Sequence, residues 1–298
     1  MRSSEWPLVF FTIMMQMTVG FFIALSISYN FLIVKQESVI ARDINGRLIF
    51  LVWPVLIAAL LISFFHLGSP KNAIYVMGNI STSWLSREIL MSLIFTAFVL
   101  LTGFIFFRGI FSLHLRLIFL MLCAAAGVGL IISMSKLYML ETVPAWNSIA
   151  TPGSFFLTAL ISGSFTLLVL LQFILQRHGK DIFSTEQTAA AAKVIAVIII
   201  VLIVIEIVSW LLHLKVLSSS AAGAGKESFS LIVNGNTLIF AVRIILSLLA
   251  LIFLILTIYI SGRTNADMRF MYISFFIMIL SEISGRYLFY AMYSRVGL

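Results

Sequence analysis

Eight apolar runs, each about the length that crosses a bilayer as a helix, constrain this sequence more than anything else in it. They lie at 8–34, 48–66, 88–107, 113–135, 153–176, 189–213, 238–260 and 269–291. Twenty or so apolar residues cross the hydrocarbon as a helix, so these runs read as helices. The expected fold class is all-α: a polytopic membrane bundle of eight transmembrane helices, a single integral-membrane domain over 1–298, both termini on one side. Only 10% of residues are charged, against about 25% in a soluble domain.

The net charge of +8 does not point to nucleic acid. The basic residues are spread singly among short loops and form no patch. The run 8–34 is too long for the apolar core of a signal peptide and shows no small-residue cleavage site, so it reads as the first span. Trp6, Trp84, Trp146 and Trp210 lie near span ends, where an aromatic belt would place them. The loop 214–237, with Ser218-Ser219-Ser220-Ala221-Ala222-Gly223-Ala224-Gly225, reads as flexible.

Let side A be the side of both termini and side B the other. The side B loops are the shorter ones, and more basic residues flank them, including Arg42, Arg47, Arg108, Arg116 and Arg177. The positive-inside rule then makes side B cytoplasmic and side A periplasmic, in a bacterial inner membrane.

A charge inside a span costs roughly 2.5–3.5 kcal/mol on the insertion scale, so each one calls for a partner or a function. Glu206, Arg243, Glu282 and Arg286 are embedded, and His66, Glu88 and His213 sit at span ends. The direction of each span places all of them toward side A. Glu282 and Arg286, four residues apart, could pair along one helix face. Glu206 and Arg243 could neutralise each other. Alternatively, these groups line a polar pocket open toward side A that holds a lipid-soluble molecule with a polar head. His66 precedes the turn Gly68-Ser69-Pro70, which ends its helix and leaves the imidazole free to accept a proton. Glu88 could pass that proton to water. A quinol needs such a pair, because removing its two electrons releases two protons.

Metal chemistry has little to draw on. The one cysteine, Cys123, lies in an apolar run and reads as a small buried hydrophobe. It cannot hold an iron–sulfur cluster, which takes about four ligands. Of the four histidines, His66 and His213 share a side, whereas His114 and His178 lie at side B loops. No zinc ligand cluster stands out, and heme is not expected. The segment Thr142-Val143-Pro144-Ala145-Trp146-Asn147-Ser148, followed by Thr151-Pro152-Gly153, reads as a rigid side A turn, with a lid or docking surface as the other reading.

Glu5-Trp6-Pro7-Leu8, His66-Leu67-Gly68-Ser69-Pro70, Glu88-Ile89, Thr142 to Trp146, Thr151-Pro152 with Phe155 to Thr158, and Gly285-Arg286 with Phe289-Tyr290 form an ordered set over nearly the whole sequence. This set resembles the membrane-anchor subunit of bacterial dimethyl sulfoxide reductase. The resemblance implies a three-subunit enzyme of anaerobic respiration. A molybdopterin catalytic subunit and an iron–sulfur subunit would be the partners, with menaquinol as bound substrate and no heme, iron–sulfur cluster or molybdenum in the anchor itself. The anchor would not catalyse the terminal reduction; it would oxidise menaquinol and pass the electrons on. His66 and Glu88 match the family's quinol-site histidine and carboxylate, and would be the catalytic pair. Gly68, Ser69, Arg87, Arg243, Glu282 and Arg286 complete the expected quinol site. Arg87 stands where the family pattern has a neutral amide, and Lys71 follows Pro70; both add positive charge. The loop 214–237 matches poorly. Two rivals come from other classes. Embedded ion pairs suit a secondary transporter, but no repeat or broken midplane helix accompanies them. A heme-bearing quinol dehydrogenase anchor is the second.

Overall fold

A computed structural model describes residues 6–29, 39–66, 77–177, 186–221, 223–260 and 269–296. Among the described residues the protein is all-helical. Eight helices are long and apolar enough to span a membrane. They are α1 (Trp6–Tyr29), α2 (Val39–His66), α3 (Trp84–Arg108), α4 (Leu113–Tyr138), α5 (Ala150–Arg177), α6 (Glu186–Ser218), α8 (Thr237–Ile260) and α9 (Arg269–Ala291), with a short α7 (Gly223–Val233) between α6 and α8. The membrane spans within them fall within a few residues of those read from the sequence. For the first span, the expected end at 30–34 lies outside the described residues. The first and last helices meet at one end, where the Trp6 ring stacks on Tyr287 at 5.6 Å. This is end A below.

The bundle is built on α1 and α5. Two thirds of each span is buried (67%), against 22% for α8. They pack along each other, and α1 also touches α2, α4 and α9. Close approach explains why. Gly20 on α1 faces Gly163 on α5, and a Cβ on either glycine would collide with the other helix's backbone. Helices in lipid gain little from apolar contact alone, so small residues that let backbones approach set their packing. Around this axis, α2, α3 and α4 gather on one flank and α6, α8 and α9 on the other.

Helix ends follow ordinary capping chemistry. Ser83 caps α3 by accepting from the Ser86 N–H, and Ser112 caps α4 by accepting from the Leu115 N–H, both at 3.4 Å. Gly109 ends α3 in the left-handed region at φ 65°. Arg116 then holds the turn by donating to the Gly109 carbonyl at 2.6 Å and the Ile110 carbonyl at 3.2 Å.

Two sequence expectations need correction. The 214–237 segment is not a flexible loop. It extends α6 to Ser218 and then forms α7, whose Ala224, Gly225, Ser228 and Ile232 are buried. Those positions recur at helical spacing and dock the short helix on the bundle. Glu227 then accepts a hydrogen bond from Ser294 at 2.7 Å, tying α7 to the C-terminal tail. Nor do Trp146 and Trp210 belong to an interfacial belt. Both are buried, because each has work inside the bundle, described below.

The helix crossing makes a direct prediction. Gly163→Leu should destabilise the protein by about 3 kcal/mol, since the obstacle is backbone rather than a movable side chain. Gly153→Ala, with nothing within 4 Å of the added carbon, should leave stability unchanged. Thermal unfolding of the two variants in detergent checks both.

Candidate functional site

The embedded polar residues form one layer in the end A half. Helix rise places them there: Glu88 lies one turn into α3, Arg286 little more than a turn from the end of α9, and Arg243 under two turns into α8. Every charged side group in the layer is at most 6% exposed.

One pair is a true ion pair. Arg243 Nη2 donates to Glu206 Oε1 at 2.8 Å, joining α8 to α6. The guanidinium lies 4.1 Å from the Trp210 ring centroid, which is why that tryptophan is buried. On its other side is Gly285, where an added Cβ would come within 2.6 Å of Arg243 Cζ. Glycine is needed there because the guanidinium fills the space of a side chain. Ser281 donates to the Arg243 carbonyl at 3.1 Å and shares a hydrogen bond with Ser247 at 2.7 Å.

The other expected pair is not made. Glu282 accepts from Thr158 on α5 at 2.8 Å. Arg286 Nη2 donates to Gln16 on α1 at 2.7 Å, and its guanidinium lies 3.9 Å from the Phe155 ring centroid. The i,i+4 spacing permits contact along α9, but both residues bond inward to the central helices. Gln16 and Thr158 therefore carry part of the site, and sequence reading missed them. A lone amide in the apolar run of α1 was the available cue.

Glu88 is the third carboxylate. Toward the same end, Tyr290 donates to the Tyr138 hydroxyl at 3.0 Å. These tyrosines were also missed. They belong to an aromatic plug over the layer. Trp146 donates Nε1–H to the Phe289 carbonyl at 2.7 Å and stacks on the Phe289 ring at 5.4 Å. The Thr142–Ser148 segment is thus a turn whose tryptophan seals this end of the bundle.

The remaining expected residues divide. His66 closes α2, which packs against α3; its imidazole, with Gly68 and Ser69, lies outside the described residues. Arg87 turns away from the layer. It donates to the Ile80 carbonyl at 2.8 Å and the Ser81 carbonyl at 2.7 Å, and stacks on Trp84 at 4.2 Å. It braces the turn before α3. His213, half-buried, faces the Ala145 backbone. It borders a cavity of about 30 Å³ lined also by Thr151, Glu206, Ser209 and Trp210. Cys123 is buried against the Thr102 hydroxyl at 3.1 Å.

Nearly the whole sequence, residues 1–292, matches the DMSO reductase anchor subunit (DmsC) family. The protein belongs to that family. Among curated relatives, the C subunit of the anaerobic dimethyl sulfoxide reductase of Escherichia coli K12 is 28% identical over 301 residues, 99% of this protein and 96% of the relative. The anaerobic dimethyl sulfoxide reductase subunit YnfH of the same organism is 33% identical over 168 residues, 56% of this protein. The corresponding C subunit of Haemophilus influenzae is 27% identical over 168 residues, 55% of this protein. The last two matches span little more than half the relatives' own length, 58% and 59%. This anchor is therefore a multi-pass membrane subunit whose polar residues converge near one end.

The Arg243–Glu206 pair gives a testable energy. Arg243→Met leaves a buried carboxylate unpaired and should cost about 3–5 kcal/mol. Adding Glu206→Leu should recover much of that loss. Melting temperatures of the single and double variants in detergent measure the difference.

Proposed function

We propose that this anchor binds menaquinol at end A, oxidises it, and hands the electrons to an iron–sulfur subunit that serves a molybdopterin reductase subunit. The observation that carries the reading is Glu88. It is a carboxylate one turn inside a membrane end, 6% exposed, with Oε2 unpartnered among the described residues. Helix α2 ends in His66 at the same end and packs against α3, the helix that carries Glu88. A quinol hydroxyl requires a histidine and a buried acceptor within reach: the imidazole would take the proton as the electron leaves, and the carboxylate would accept it next. Gly68 and Ser69 would shape the turn against the quinol head, while Arg243, Glu282 and Arg286 set the charge balance behind it.

The names of the relatives, subunits of anaerobic dimethyl sulfoxide reductases, support a reductase complex as the assembly. The basic bias of the opposite loops supports a bacterial inner membrane with end A periplasmic. A transporter reading fits less well, since the charges lie off the midplane rather than at it.

Fluorescence quenching of a hydroxyquinoline N-oxide, a quinol-site inhibitor, tests the proposal on membranes carrying the complex. Wild type should bind stoichiometrically and His66→Ala should not. Glu88→Gln should bind inhibitor yet oxidise quinol about 100-fold more slowly, the scale of one lost proton-transfer group. A His66→Ala variant with full binding and turnover would refute the site.

A further inference from the structure

Glu88 is close to the membrane end but closed off from it. Tyr138, Trp146, Phe289 and Tyr290 pack on one another as one aromatic cluster at this end of the bundle, and Glu88 is 6% exposed. Protons released there need a polar way out, and the same layer supplies one.

Three features define it. First, polar atoms of the layer find no hydrogen-bond partner among the described residues: Glu88 Oε2, Gln16 Nε2, Arg286 Nε and Nη1, Glu282 Oε1 and Arg243 Nη1. They come from α1, α3, α8 and α9 and include both acceptors and donors. Such atoms are what ordered water satisfies inside a protein, and hydrocarbon offers no other remedy. Second, the layer holds three carboxylates, Glu88, Glu206 and Glu282, against two guanidiniums, Arg243 and Arg286. Full ionisation would bury one net negative charge, which a membrane interior opposes. The layer is neutral when the carboxylates share one proton. Third, Glu206 borders the cavity of about 30 Å³ that reaches His213. That volume holds about two waters. Glu206 is bonded to Arg243 at 2.8 Å, and the Arg243 carbonyl accepts from Ser281, the residue before Glu282, at 3.1 Å, so the cavity adjoins the α9 side of the layer.

We propose that this layer is a hydrated proton outlet, running from Glu88 by way of ordered water, Glu282 and Glu206 to the cavity beneath His213 and to water at end A. It rests on the quinol reading above. The balance is simple. Each quinol O–H bond breaks as its proton passes to the His66–Glu88 pair. The two electrons leave one at a time to an iron–sulfur acceptor in the partner subunit, and the quinone remains. Each proton displaces the one already shared in the layer, so one exits at His213 for each one that enters at Glu88. The guanidiniums of Arg243 and Arg286 position water and hold the layer's charge; they carry no proton.

The test uses the full complex in its membranes, with Glu282→Gln, Glu282→Asp and His213→Asn. Inhibitor binding should match wild type in His213→Asn, which is outside the expected quinol site. It should be retained in the two Glu282 variants, because on this proposal Glu282 stands behind the quinol head and carries protons rather than meeting the quinol itself. Quinol oxidation should fall about tenfold or more in Glu282→Gln and His213→Asn, as for a lost proton-transfer group. The solvent deuterium isotope effect should rise in both as proton exit becomes limiting. Glu282→Asp should recover most of the rate, which a packing role would not explain. His213 is half-exposed, so His213→Asn keeps the test open if Glu282→Gln fails to assemble. Wild-type rates and isotope effects in Glu282→Gln and His213→Asn, with inhibitor bound, would overturn the outlet and leave the quinol site standing. Loss of inhibitor binding in Glu282→Gln would also overturn it, making Glu282 part of the quinol site. Failure of wild type to bind inhibitor would instead remove the quinol reading beneath it.

Discussion

Inside a bilayer a polar group has only other protein groups and trapped water to bond with, and that constraint organises this bundle. The five buried charges of the end A layer could not be scattered through eight spans at several kcal/mol each. Collected at one level they can neutralise one another and share partners. Each helix near the layer contributes something: Gln16 from α1, Glu88 from α3, Thr158 from α5, Glu206 from α6, Arg243 from α8 and two charges from α9. The layer is therefore a tertiary feature that holds two flanks of the bundle together.

Its geometry depends on the α1–α5 crossing. Gly20 and Gly163 bring the two backbones into contact. That contact puts Gln16 of α1 and Thr158 of α5 on the surface that α9 meets. Arg286 and Glu282 then find partners on two different helices rather than on each other. The same logic explains Gly285. With any larger residue there, Arg243 could not lie between α9 and the Trp210 ring. Small residues here make room for charged ones.

The spans were legible in the sequence because hydrocarbon thickness fixes the length and composition of a crossing helix. The depth of each charge was legible too, because span direction and helix rise are enough to place it. Partners were not. The i,i+4 rule sees only neighbours on one helix, whereas Thr158 lies 124 residues and Gln16 lies 270 residues from its partner on α9. Trp146 and Trp210 misled for a related reason. Position near a span end suggests an interface, yet one seals the bundle over Phe289 and the other faces a guanidinium. In 214–237 the small residues suggested a mobile loop. Their helical spacing at Ala224, Ser228 and Ile232 carried the better cue.

The two halves of the bundle differ in a way that bears on energy conversion. In the end A half, polar atoms face one another across helices. In the other half the described hydroxyls make both kinds of bond: Ser28 donates to the Ala24 carbonyl at 2.6 Å and Thr166 to the Ser162 carbonyl at 2.7 Å within their own helices, whereas Ser274 donates to the Ala250 carbonyl at 2.5 Å and Tyr272 to Gln176 at 3.0 Å across helices. Between α1, α5 and α6 that half opens into a cleft of about 620 Å³ lined mainly by aliphatic residues such as Ile23, Leu160 and Val194. The cleft walls carry only the Ser28 and Ser164 hydroxyls among aliphatic side chains, and among the described residues no buried carboxylate lies in that half. The described buried carboxylates thus collect toward end A, with a largely aliphatic cleft in the half behind them. In the proposed reading protons and electrons would both leave at end A, which would carry no net charge across the membrane. Under the proposed function, an anchor that oxidised quinol here would therefore serve its partners without itself building a membrane potential.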